Sequence, residues 1–205
     1  MNYCCFIAGL VGVCLVPLWA ASANVPSFCA SPDQATRVRQ EYLGLLGQAP
    51  SVVAAGLGVT EGTVLSGLPD GQSLGVAPVE FEKVWASLSE WDNAITLIKR
   101  DGHEFEIVGP VHTGRYGRDK QRFDLNPVGW GAAGHIMPSN IGAIFAVSLP
   151  TRGDAKAQGV LFLNNAGEMS FAAMVPVVSG RSSQTVSKQF GDTWQAMRTM
   201  PRVCN

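Results

Sequence analysis

The spacing of apolar residues divides the chain into a helical first part and a strand-rich second part. Ser31-Pro32-Asp33 has the pattern of a helix start, and Val38, Tyr42 and Leu45 or Leu46 then recur on one face until Ala49-Pro50 breaks the helix. Residues 51–71 read as two short helices about Gly56-Leu57-Gly58, with Thr60 capping the second and Leu68-Pro69-Asp70-Gly71 turning the chain. Residues 72–80 read as a loop. From Glu80, the residues Phe81, Val84, Trp85, Leu88 and Trp91 fall three and four apart, a helix stripe suited to packing on a sheet, and Asp92-Asn93 ends it.

The period then changes. AITLIKR and HEFEIVGPV flank Asp101-Gly102, a hairpin turn signal, and RFDLN, HIM and IGAIFAVSLP follow as strands. GVLFLNN and EMSFAAMVPVV form another hairpin about Asn164–Gly167. A closing helix begins near Ser182-Ser183, carries Val186, Phe190, Trp194 and Met197 on one face, and stops at Pro201. The order predicts an α+β fold: an N-terminal helical segment, an antiparallel sheet of hairpins, and a C-terminal helix packed on that sheet. No repeat or linker divides it. Residues 24–205 are expected to form one domain, helical over 32–78 and sheet with packing helices over 79–200.

The first 23 residues stand apart. Cys4 to Ala23 carries no charge and ends in Ala20-Ala21-Ser22-Ala23, the apolar core and small-residue cleavage site of a secretory signal peptide. No Lys or Arg precedes the apolar run, so an uncleaved anchor and a mis-called start codon stand as the other readings. Cleavage places the domain in the periplasm, without stable membrane insertion; a mis-called start leaves it cytoplasmic. The cleaved chain keeps two cysteines, Cys29 and Cys204, one near each end. In an oxidising compartment a disulfide between them closes a long loop, worth about 4 kcal/mol on the chain-entropy argument; two unpaired thiols in loose tails are the alternative.

All 15 basic and 16 acidic residues lie outside the leader, and the net charge of −1 argues against bulk electrostatic binding of nucleic acid or anionic membrane. The helix–glycine–helix pattern at 51–71 resembles a DNA-reading motif, but it has no Lys or Arg to meet phosphates or bases, so packing is the better account. Gly129-Trp130-Gly131-Ala132-Ala133-Gly134 satisfies a dinucleotide-binding spacing, yet His135-Ile136-Met137-Pro138 follows where a helix would have to begin.

What remains is His135, approached through small residues, and a cationic loop in which Tyr116 sits between Arg115 and Arg118 with Lys120 and Arg122 behind. Imidazole ligates haem iron, as does a phenolate whose pKa a nearby cation lowers, and cationic side chains pair with haem propionates. A hydrogen-bonded core histidine and a solvated loop are the plainer alternatives.

The pattern F-x-x-V-W-x-x-x-x-x-W-x-N-x-x-T-L at 81–97 resembles the haem-utilisation carriers of the HutX/ChuX type. So do F-D-L at 123–125, G-H-I at 134–136, L-F-x-N-x-x-G at 161–167, S-G-R at 179–181 and the upstream A-x-x-L-G-V-T-E-x-x-V-L-x-x-L-P, together covering residues 32–200. The resemblance implies a domain like one half of the larger HemS/ChuS-type haem proteins, often a homodimer, that binds haem as cargo and passes it between a donor and an acceptor protein. It implies His135 as the G-H-I histidine and candidate iron ligand. Lys99 stands where some relatives have histidine, and Tyr116 falls in a loop where relatives carry His, Arg or Tyr. Haem degradation with an external reductant is the alternative function.

Overall fold

The structure is a computed structural model that describes residues 26–204 apart from 101, 127–128, 154–155 and 179–180. The expected leader lies outside the described residues. Three helices open the fold: α1 (Pro32–Gly44), α2 (Pro50–Leu57) and α3 (Glu61–Gly67). The Ser31 side chain and Gln34 form a capping box at the start of α1, Gly58 closes α2 in the left-handed region at φ +65°, and the Thr60 hydroxyl accepts from Thr63 N–H to start α3. Most of α3 is buried, so it presents no reading face for DNA.

The strands are β1 (Ser73–Val76), β2 (Ala94–Arg100), β3 (His103–Gly109), β4 (Gly114–Tyr116), β5 (Phe123–Leu125), β6 (His135–Ile136), β7 (Ile141–Pro150), β8 (Lys156–Asn164), β9 (Met169–Met174), β10 (Val177–Val178) and β11 (Arg181–Ser182). Six form one antiparallel sheet in the order β1-β7-β8-β9-β2-β3, β4-β5-β6 form a second of three strands, and β10 pairs with β11. Two further helices complete the fold: α4 (Phe81–Leu88), between β1 and β2, and α5 (Gln184–Arg198), after the last strand.

Alternation along the strands produces two cores, one on each face of the main sheet. Ala143, Phe145, Val147, Leu161 and Leu163 meet α1–α3 on one face. Ile144, Ala146, Val160 and Phe162 meet α4, α5 and the small sheet on the other. The architecture is α+β.

Three details differ from the sequence reading. Residues 114–116, expected as part of a cationic loop, form β4 against β5. Residues 73–76, expected as loop, form β1 against β7. Its signal is weak because Gly75 interrupts it: a Cβ there would stand 2.5 Å from the Phe145 ring, so close packing with a neighbour replaces alternation. Helix α4 ends at Leu88, not after Trp91; Trp91 sits in the following turn, 1% exposed, with its indole N–H donating to Thr193 Oγ1 at 3.1 Å.

The C-terminal tail runs along β1: Ala77 N–H donates to Pro201 O at 2.9 Å, Val76 bridges Arg202, and Cys204 is disulfide-bonded to Cys29 with Cα atoms 5.6 Å apart. That edge of the sheet is covered. The other edge, β3, has no second neighbour among the described residues. No helix among the described residues is long and apolar enough to cross a membrane.

Candidate functional site

Register in the small sheet sorts its side chains into two rows. Tyr116, Phe123 and Ile136 are cross-strand partners and pack toward the core of α4 and the main sheet, while Arg115, Asp124 and His135 form the alternate, outward row. Phe123 anchors the sheet to α4, with ring centroids 5.1 Å from Phe81 and 6.0 Å from Trp85. On the outward row Asp124 is gripped by Arg122, Nε to Oδ1 at 2.7 Å and Nη2 to Oδ2 at 3.3 Å. Arg115, Arg118 and His135 are exposed. Tyr116 lies edge-on to Phe123 at 5.4 Å, and burial, reinforced by Glu82 on α4, raises its phenol above the ordinary value.

The glycine-rich strap before β6 is held from beneath by a histidine. His112, 7% exposed, places Nε2 3.0 Å from the Trp130 carbonyl, which makes Nε2 the protonated, donating nitrogen. Its own carbonyl accepts the Trp85 indole N–H at 2.9 Å. Gly131 runs at φ +121°, and a Cβ there would stand 2.9 Å from His112 Nε2, so glycine is required on both counts. Gly109 at the end of β3 likewise leaves room for the Trp130 ring. The strap leads into β6 and a short turn at 138–140, with no helix to receive a pyrophosphate.

A row of apolar side chains crosses the main sheet on the α4 face. Phe162 pairs with Phe171, Phe171 with Ile98, and Ile98 with Phe105. The inner end is core: Phe162 is fully buried and stacks on Phe171 at 4.4 Å, beneath Trp85. The outer end is not covered by any of the described residues, with Ile98 38% and Phe105 60% exposed. Trp130, 63% exposed, stands beside the same face at Gly109. The result is an open apolar shelf on the outer two strands, flanked by the strap that carries Trp130 and leads to His135. A polar cleft of about 940 Å³ lies elsewhere, between α2, the β2–β3 turn and the β8–β9 turn, and is lined among others by Lys99, His103, Glu104 and Asn164.

Residues 75–192, more than half of the chain, match the haem utilisation ChuX/HutX family. The chain belongs to this family. Comparison with the curated proteins finds no match. Among solved structures, the heme-binding protein ChuX superposes with a TM-score of 0.68 at 20% identity, over 80% of this chain and 99% of that one. Holo-PhuS, a heme-binding protein from Pseudomonas aeruginosa, gives 0.63 at 14% identity, over 83% of this chain and 45% of that one. ChuS, an E. coli heme oxygenase, gives 0.62 at 13% identity, over 82% and 50%. The ChuX/HutX chain thus spans about half the length of PhuS and ChuS.

Within this family member the residues singled out from the sequence do not gather in one place. His135, Arg115 and Arg118 share the outer side of the small sheet and its turn, but Tyr116 points to the opposite side of the same sheet. Tyr116 was expected to have its pKa lowered by the flanking arginines; burial and Glu82 raise it instead, so it is a neutral phenol. Lys99 lies on the α1–α3 face of the main sheet, its Nζ 3.1 Å from Ser51 Oγ, 3.5 Å from Glu61 and 3.8 Å from Glu104. The main sheet separates it from His135. Missed from the sequence were His112, which positions the strap, and the shelf residues Ile98 and Phe105. Alternation alone marked those two as one face of a hairpin, but nothing local told a covered face from a bare one.

Proposed function

We propose that this ChuX/HutX protein is a haem carrier, taking haem from one protein and delivering it to another. The porphyrin lies on the shelf formed by Phe171, Ile98 and Phe105, His135 is the side chain offered to the iron, and Arg115 and Arg118 are placed for propionates. The observation that carries this is the uncovered apolar row in a member of a haem-utilisation family: a flat, largely apolar cargo is what such a surface accommodates. An open shelf also suits a carrier, because release needs no enclosing cavity to be taken apart. Tyr116 is left out of the ligand set, since its neutral phenol faces α4.

The test is spectroscopic. Hemin titrated into the cleaved chain is expected to give a saturable Soret shift, weakened at least tenfold by Phe105→Asp and changed in position by His135→Ala. An unchanged hemin spectrum at every ratio contradicts binding. Ascorbate added with catalase present is expected to leave the Soret band in place; its loss would indicate degradation.

The β3 edge, unpaired among the described residues and with Phe105 and Val108 exposed on its two faces, supports a homodimer in which two copies pair along this strand. Light scattering after size exclusion reads the mass, and a monomer at micromolar concentration opposes this reading. The Cys29–Cys204 bond supports export to the periplasm. Intact mass of the native protein tests it: cleavage after Ala23 and loss of two hydrogens are expected, and an uncleaved, reduced chain would contradict it.

A further inference from the structure

A chamber of about 250 Å³ lies on the α1–α3 side of the sheet, beneath the α1–α2 connection. Leu97, Val147, Leu149, Leu161, Met169 and Met174 line it from β2, β7, β8 and β9, so its floor is rigid sheet and two of its side chains are adaptable thioethers. Tyr42 of α1 is part of the wall and is 2% exposed. Its hydroxyl has no hydrogen-bond partner among the described residues, and burial raises its pKa, which keeps it a neutral group able to give one hydrogen bond and accept another. Buried hydroxyls are normally satisfied, so an unpartnered one in the wall of a cavity marks the place where a guest supplies the partner.

The charge at one end restricts the guest. The Lys99 ammonium is shared among Ser51, Glu61 and Glu104, one cation against two carboxylates, so no positive charge remains to receive an anion. This end borders the 940 Å³ polar cleft, with which the chamber shares Ser51, Glu61, Lys99, Glu104 and Met169. An apolar cavity of roughly 150 Å³ holds benzene, so about 250 Å³ suits a bicyclic ring system.

We infer that the chamber is a second binding site, on the opposite face of the sheet from the shelf, for a small, uncharged, mostly apolar molecule with one hydrogen-bonding group that meets the Tyr42 hydroxyl.

The probes are 2-naphthol, naphthalene and 2-naphthoate, titrated into the full cleaved chain and followed by amide chemical shifts. Saturable 2-naphthol shifts are expected at Leu97, Leu161 and Met174. Tyr42→Phe is expected to weaken 2-naphthol about fivefold while leaving naphthalene unchanged. The carboxylate of 2-naphthoate should reduce affinity at least tenfold, and Ala157→Phe, which fills the chamber from β8, should abolish binding of all three. Shifts that fail to saturate, or that fall on Phe105 and Trp130 instead, overturn the inference. So does a Tyr42→Phe chain that binds 2-naphthol as tightly as the parent. These last two readouts hold even if the filled variant does not fold.

Discussion

Trp85→Phe is the most informative single perturbation, because Trp85 joins the three layers around the shelf. Its ring lies 5.9 Å from Phe162 and 6.3 Å from Phe171 in the main sheet, 6.0 Å from Phe123 in the small sheet, and 5.8 Å from Phe81 on its own helix. Its indole N–H also satisfies the carbonyl of His112, whose imidazole holds the strap. Phenylalanine keeps an aromatic ring in place but removes the donor and the outer ring atoms. Leaving the His112 carbonyl without its partner costs about 1–3 kcal/mol. The small cavity adds about 1 kcal/mol, well below the ~3–5 kcal/mol of a full aromatic-to-alanine deletion. The sum, about 2–4 kcal/mol, is a large fraction of a typical domain stability of ~5–15 kcal/mol. Urea denaturation followed by far-ultraviolet circular dichroism measures it, with the midpoint falling and the m-value unchanged. The same variant should weaken hemin binding, because the freed carbonyl loosens His112 and with it the strap. A stability loss below about 0.5 kcal/mol, within the range of ordinary surface substitutions, would refute the argument that this one hydrogen bond ties the layers together.

Three further predictions follow from other parts of the fold. Cys204→Ser opens a loop of sequence separation 175 and is expected to lower stability by up to about 4–5 kcal/mol in urea; a loss below about 1 kcal/mol would mean that the backbone contacts with β1 hold the tail unaided. Gly75→Ala drives a methyl group toward Phe145 and Val203 and should cost about 1–3 kcal/mol by the same assay, whereas an unchanged midpoint would show that the Phe145 ring swings aside. Tyr42 and Tyr116 are the two tyrosines among the described residues, and burial raises both phenols above 10.0. The folded state therefore keeps these protons longer than the unfolded one, so stability is fully present below the unfolded phenol pKa of ~10 and is lost as pH rises through the folded values. Phenolate absorbance should appear only above that pH; its appearance below would contradict the neutral Tyr116.

The elements that could be read from the chain are those whose periodicity is written in large side chains. Phe81, Val84, Trp85 and Leu88 specify the buried face of α4, Val186, Phe190 and Met197 specify that of α5, and both are buried as the stripes require. The hairpin turns at Gly102 and Gly167, each at φ +82°, were legible because left-handed backbone selects glycine there. Strand β1 was not, since its pairing depends on Phe145 and the returning C-terminal tail, neighbours that lie far away in sequence. The site was legible only as a set of residue types. Histidine, tyrosine, lysine and arginine close in sequence suggested one cluster, but strand pleat sends Tyr116 and His135 to opposite sides, and Lys99 projects through the far face of the main sheet. The shelf was invisible for a different reason. Ile98 and Phe105 look like core residues in any hairpin, and their exposure depends on which distant elements pack across the outer strands, which no local pattern records.

The central claim is a location: haem on the α4 face at the open edge of the sheet. Hydrogen exchange read by mass spectrometry, with and without zinc protoporphyrin, tests that location without depending on which side chain meets the iron. Slowed exchange is expected in β2, β3 and the strap through residues 94–109 and 129–136. Protection confined to α2, α3 and the β8–β9 turn, around the polar cleft, would put the porphyrin on the other face and contradict the account.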